Sequence, residues 1–155
     1  MDQQRTHQFP QDPNFRSRVI ASFGKQAFMK TLGARLARVE PGLVEISLPF
    51  DESLTQQHGY LHAGAIASTL DSACGYAALT LMPADAAVLT VEYKINLLAP
   101  ARGPRLLAVA SVKKTGKTLM VSTGDIFEKA TGEARKLIAT MTATILVAEN
   151  RGLTD

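Results

Sequence analysis

A polar loop with two histidines, Gln56-Gln57-His58-Gly59-Tyr60-Leu61-His62, runs straight into a long stretch of small and apolar residues that holds one carboxylate, Asp71. Residues 64–82 contain no proline and are rich in Ala, Leu and Met, so propensity and length predict a helix rather than a strand. Its apolar residues make no stripe: Ile66, Leu70, Cys74, Tyr76, Ala77, Leu79, Leu81 and Met82 point in nearly every direction, the pattern of a helix buried on most sides. Pro83 ends it. A charge on such a helix is costly unless paired or used, which makes Asp71 the first candidate for chemistry. Ser68, Asp71 and Gly75 fall at spacings of three and four, a narrow polar and small strip along which another backbone can approach.

The chain of 155 residues supports one core rather than two. No apolar run reaches the roughly 18 residues of a membrane span, because Ser68, Thr69, Asp71 and Ser72 interrupt the longest one. Asp2, Gln3, Gln4 and Arg5 give no apolar signal-peptide core. A single cysteine, Cys74, fits a reducing cytoplasm. The net charge of +3 is too small and too scattered to argue for nucleic acid. The tightest basic cluster, Lys113, Lys114 and Lys117, is read as either a solvated turn or a seat for phosphates.

Residues 1–13 read as a flexible, polar tail with two prolines and His7, followed by a single domain over residues 14–150. In residues 14–32 Phe15, Val19, Ile20, Phe23, Ala27 and Phe28 recur at helical spacing, with Asn14 as N-cap and Gly33 near the stop, predicting one amphipathic helix that serves as scaffold or lid. Residues 34–39 and 43–50 read as strands joined by a Glu40-Pro41-Gly42 turn. Residues 88–98 alternate, with Leu89, Val91, Tyr93, Ile95 and Leu97 on one face and Thr90, Glu92, Lys94 and Asn96 on the other. Strands at 106–113 and 118–128 meet at Thr115-Gly116, and a turn at Thr131-Gly132 leads to the last strand, 137–147. Five or six antiparallel strands and one helix too apolar for a surface pack most simply as a sheet curled around that helix, a hotdog-like α+β fold with an N-terminal helix.

The segment Gly59-Tyr60-Leu61-His62-Ala63-Gly64, with Asp71 nine positions after His62, resembles the loop and helix start of hotdog-fold acyl-CoA thioesterases of the phenylacetate-degradation (PaaI-like) type. The resemblance continues through residues 89–100, Lys114-Thr115-Gly116-Lys117-Thr118 and the 129–132 turn, and covers roughly residues 32–147. It implies hydrolysis of an acyl-CoA to free acid and CoA with no separate cofactor. Asp71 becomes nucleophile or general base, and Thr90 the strand hydroxyl on the carboxylate's side. Gln56 stands where the family often has Asn, His62 is the loop histidine, and Ala63 replaces the first glycine of the usual His-Gly-Gly. A hotdog dehydratase or hydratase and a non-catalytic acyl-CoA sensor are the rival readings.

The first turn of a helix offers unpaired N–H groups and a positive dipole end, so the amides of Ala63 and Gly64 suit the oxyanion of an attacked thioester. Asp71 lies eight residues past Ala63, about 12 Å along one helix. Both cannot touch one carbonyl, so the site is expected across a homodimer interface; the family resemblance also leaves a dimer of dimers open. Tyr60 is a candidate substrate-binding residue, the pocket's depth depending on how it, the N-terminal helix and the partner subunit pack, and Lys113, Lys114 and Lys117 are the candidate seats for the CoA phosphates. His62 either orders the loop or touches substrate. His58 reads as loop packing, and the two loop histidines lack a third ligand for zinc. Cys74 reads as core, since nothing beside it would lower its pKa. Acyl-chain length is open.

Overall fold

The protein is seen here in a computed structural model that describes residues 9–129, 135–149 and 152–153; His7, most of the expected tail and the Thr131-Gly132 turn lie outside them. The elements run α1 (Phe15–Lys25), α2 (Ala27–Thr31), β1 (Arg35–Glu40), β2 (Leu43–Pro49), a 3-10 turn (Glu52–Leu54), α3 (Ala63–Leu79), β3 (Ala87–Leu97), β4 (Arg105–Lys114), β5 (Leu119–Lys129) and β6 (Arg135–Ala148). The six strands form one antiparallel sheet in the order β1-β2-β4-β5-β6-β3, which curves around α3 as the hotdog fold. Among the described residues no helix is long and apolar enough to cross a membrane.

Eleven of the 17 residues of α3 are buried, as its lack of an apolar stripe predicts. Leu70, Ala73, Cys74 and Ala77 meet Ile46, Leu48, Ala108, Met120, Ile126 and Met141 of the sheet in one core. The two pack closely at Gly124 on β5, where a Cβ would sit 3.1 Å from both Cys74 Sγ and Leu70 Cδ2. The helix stops at Leu79, three residues before the expected end, and the chain continues in tighter turns, with Leu81 N–H donating to Ala78 O (3.0 Å) and Met82 N–H to Leu79 O (3.1 Å). Arg18 of α1 donates to the carbonyls of Leu79 (2.9 Å), Met82 (3.2 Å) and Pro83 (2.6 Å), and pairs with Asp12 at 3.3 Å. A cation there also meets the negative end of the helix dipole.

The single helix expected over residues 14–32 is two. Gln26, with φ −73° and ψ 97°, is extended and divides α1 from α2. Asn14 makes no side-chain cap; Asp12 accepts its N–H at 2.8 Å, being fixed in place by Arg18.

A β-bulge between Thr90 and Glu92 changes the expected faces of β3. Thr90 pairs with Ile145, and Tyr93 with Ala143, two inward residues of β6, so Thr90 and Tyr93 both face α3. Plain alternation assigns them to opposite faces; Val91, the extra residue, takes up the difference. The strip of Ser68, Asp71 and Gly75 is likewise only partly open, since β3 covers it: Val88 Cγ2 lies 3.6 Å from where a Gly75 Cβ would be.

Candidate active site

The loop ahead of α3 is ordered by its own backbone. Gln56 N–H donates to Tyr60 O and Gly59 N–H to Gln56 O, both at 2.9 Å, and Gly59 takes the left-handed conformation, φ 78°, that glycine adopts without strain. Leu61 N–H then donates to Ala101 O (2.9 Å) and His62 N–H to Leu54 O (2.8 Å), tying the helix start to the β3–β4 connection and to the 3-10 turn. The Gln56 side chain is used inside this loop: its Oε1 accepts the His58 N–H.

His62 is the N-cap of α3, its Nδ1 accepting the Gly64 N–H at 2.8 Å. An Nδ1 that accepts leaves the ring proton on Nε2. The same bond narrows the expected oxyanion site. Gly64's amide is committed to His62, and those of Ala65 and Ile66 to His62 O, whereas no described acceptor takes the Ala63 N–H. Ala63 is exposed and borders a cleft of about 330 Å³ with Gln56, Tyr60, Ile66, Leu97 and Leu98. Arg102 stacks over Tyr60 at 5.8 Å on its rim.

Asp71 is half-buried, two helical turns further on. Thr90 Oγ1 donates to its Oδ1 at 2.8 Å across the α3–β3 contact, and no described donor reaches Oδ2. Burial pushes the Asp71 carboxyl above the usual carboxylate range, and the Thr90 bond opposes that shift without cancelling it. Asp71 lines a second cleft, of about 360 Å³, with Gln26, Phe28, Ser68, Ser72 and Tyr93. Cys74 belongs to the core, with its thiol pushed up to about 12 by burial and by the Asp71 and Asp125 charges.

The sequence-predicted residues thus separate into two groups. Gln56, Tyr60, His62, Ala63 and Gly64 sit at the start of α3, and Asp71 with Thr90 at its middle. Lys113, Lys114 and Lys117 are exposed at the far end of β4 and in the connection to β5, and line neither cleft. Sequence reasoning missed Gln26, Ser72 and Tyr93. For Gln26 a signal existed, since it lies seven residues after the fully buried Val19, a polar residue on the core-facing side of a helical pattern.

A curved six-stranded antiparallel sheet wrapped around one long buried helix is the hotdog architecture that thioesterases share. The family model of the thioesterase superfamily matches residues 58–134, a span that takes in α3 and strands β3, β4 and β5. The chain belongs to the thioesterase superfamily. It is 34% identical over 114 residues to acyl-coenzyme A thioesterase 13 of Homo sapiens, covering 72% of this chain and 79% of that protein. A Saccharolobus solfataricus protein with a provisional esterase name is 37% identical over 93 residues; the match spans 59% of this chain and 65%, just under two thirds, of that relative. Among solved structures, a thioesterase family protein from Silicibacter pomeroyi superposes with TM-score 0.85 at 50% identity, over 88% of this chain and 99% of that one. The E. coli PaaI protein shares the fold, with TM-score 0.78 at 21% identity over 86% and 93% of the two chains.

Proposed function

We propose that the protein hydrolyses acyl-CoA thioesters to free acid and CoA, as a homodimer in which each active centre joins the Ala63 end of α3 from one protomer to the Asp71 segment of its partner. One observation carries this reading. The amide and the carboxylate open into two clefts that share no lining residue, while the rise along α3 keeps them about 12 Å apart. The human relative's name supports CoA thioesters as the substrate class.

The two edges of the sheet support the assembly. β1 is short, bulged and charged, with Arg38 paired to Glu40 (2.7 Å) and Glu45 (3.6 Å), the features that keep an edge from pairing. β3 is an 11-residue edge that leaves Leu89, Val91, Tyr93 and Leu97 between 44% and 57% exposed. A two-fold axis between Tyr93 and Lys94 would pair two β3 strands and set Thr90 of one opposite Leu97 of the other. Thr90 holds Asp71 and Leu97 lines the Ala63 cleft, so that pairing brings unlike half-sites together.

In this reading the Ala63 N–H receives the carbonyl oxygen as it gains charge. Asp71, whose burial favours taking up a proton, accepts one from the attacking water and Thr90 keeps it oriented. Gln56 and His62 act by holding the amide's loop in shape. Tyr60 and Arg102 border the CoA side of the cleft, and Lys113, Lys114 and Lys117 would meet its phosphates only beyond the rim. No cofactor is needed besides the CoA of the substrate, and the buried lone cysteine suits a cytoplasmic enzyme.

Mixed dimers test the assignment. Asp71→Asn removes the base, and Ala63→Pro removes one N–H. Proline is compatible there, since the first helical position tolerates it and His62 is already extended with ψ 139°. Each variant alone should be nearly inactive. A refolded equal mixture should regain roughly a quarter of the wild-type thiol release, because half the dimers are mixed and each keeps one intact site. No recovery in a mixture proven to contain mixed dimers would overturn the shared site.

A further inference from the structure

Gln26 has no structural task that needs its amide. Its backbone N–H donates to Phe23 O and its carbonyl accepts from Lys30, so the break between α1 and α2 is satisfied by the main chain. Its side chain makes no cap bond to α2. It crosses instead to α3, where Ser72 Oγ donates to Gln26 Oε1 at 3.3 Å, and it enters the Asp71 cleft half-buried. With Oε1 turned to Ser72, the two N–H groups of Nε2 have no described acceptor, and Asp71 Oδ2 has no described donor. One cleft therefore holds an acceptor and a donor, both unfilled, contributed by two different elements. At about 360 Å³ it has room for a water, whose share of liquid volume is about 30 Å³, beside an acyl group.

We propose that Gln26 is a catalytic residue of the hydrolysis, its Nε2–H holding the attacking water against Asp71, and that Ser72 positions Gln26. This rests on the reading of Asp71 as the base. The water donates one hydrogen to Asp71 Oδ2 and accepts from Gln26 with one lone pair, which aims the other at the carbonyl carbon. As the C–O bond forms, the water's proton passes to Asp71 and the carbonyl π pair moves to the oxygen on the Ala63 amide. Collapse re-forms the carbonyl and breaks the C–S bond, and the CoA thiolate takes the proton back from Asp71, so no other reactant is consumed.

The test compares Gln26→Ala, Gln26→Glu, Ser72→Ala and Asp71→Asn in the full-length protein, with kcat, KM and pH profiles for one hydrolysed acyl-CoA. Gln26→Ala should lower kcat by about 100-fold and change KM by less than about threefold, and Ser72→Ala should give a smaller fall in kcat. Gln26→Glu, nearly isosteric, should move the acid limb of kcat to higher pH, because a second carboxylate in the cleft makes Asp71 harder to ionise. A wall residue would raise KM and keep kcat in Gln26→Ala; that result, or an acid limb left in place by Gln26→Glu, overturns the inference. Should Gln26→Ala fail to fold, Gln26→Met, which keeps the side chain's length without its N–H groups, decides: a fall in kcat at steady KM supports the water-holding amide, and an unchanged kcat overturns it. Unchanged Gln26 variants beside a dead Asp71→Asn defeat this inference alone, whereas an active Asp71→Asn defeats the reading of the base beneath it.

Discussion

The start of α3 and its middle solve different problems with different parts of the chain. At the start the proposed reactive group is a backbone N–H, and the neighbouring side chains, Gln56 and His62, are occupied in fixing loop geometry. At the middle it is one carboxylate, and side chains from three elements surround it: Gln26, Ser72, and Thr90 with Tyr93. A backbone donor tolerates any side chain that leaves the helix start alone, which is why alanine can stand at position 63 where the family's pattern has glycine. A carboxylate proposed as the base has no neutral replacement that can accept the proton. The two half-sites therefore differ in how substitution should affect them.

The largest expected effects set the ends against each other. Asp71→Asn should cost about 10³-fold or more in kcat, within the range for removal of a general base. Ala63→Pro should cost about 10²- to 10³-fold, the scale of one lost oxyanion donor, while Ala63→Ser should stay near wild type. Equal tolerance of Ala63→Pro and Ala63→Ser would remove the backbone end from the chemistry. Stability separates the ends as well. Burial raises the Asp71 carboxyl above its unfolded value, so its contribution favours the fold at low pH and is lost as pH rises through the folded value. Asp71→Asn should then raise the thermal midpoint at neutral pH, so its inactivity would not be a folding defect.

The backbone end was largely legible in the sequence and the side-chain end only in part. Gly59, the apolar helix and Pro83 are local signals, and they place the loop and α3 within a few residues. His62 was readable as a loop residue, but its choice of the Gly64 amide depends on a rotamer that no pattern encodes. Asp71 stands out by cost alone. Its surroundings do not, because they rest on non-local geometry: the bulge at Val91 puts Thr90 and Tyr93 on one face, and the break at Gln26 aims an amide from the N-terminal segment at α3. Neither irregularity carries a proline, and no glycine stands at either residue, so periodicity runs straight through both.

Thr90→Val is the next smaller effect and acts only on the middle of α3. It removes the bond that lowers the Asp71 carboxyl's affinity for protons and leaves burial to raise it unopposed. Because the proposed role of Asp71 as base needs its ionised form, the acid limb of kcat should move to higher pH. Activity below neutrality should fall roughly tenfold, the scale of one charge-assisted hydrogen bond, with a smaller loss at high pH. An unmoved limb with a uniform loss would mean that Thr90 positions substrate rather than the acid.

The smallest effect belongs to the cap at the other end. His62→Ala removes the acceptor of the Gly64 N–H and should cost about 1 kcal/mol, read as a thermal midpoint lower by roughly 3 °C. His62→Asn offers a side-chain oxygen at the same position and should restore most of that stability. Activity then decides what the histidine is for. If it only shapes the helix start, the Asn variant recovers kcat and KM together with the midpoint, because the Ala63 N–H returns to its place. If its Nε2–H also touches the thioester or CoA, the Asn variant regains stability but not turnover, and the backbone end of α3 would have a side-chain chemistry of its own.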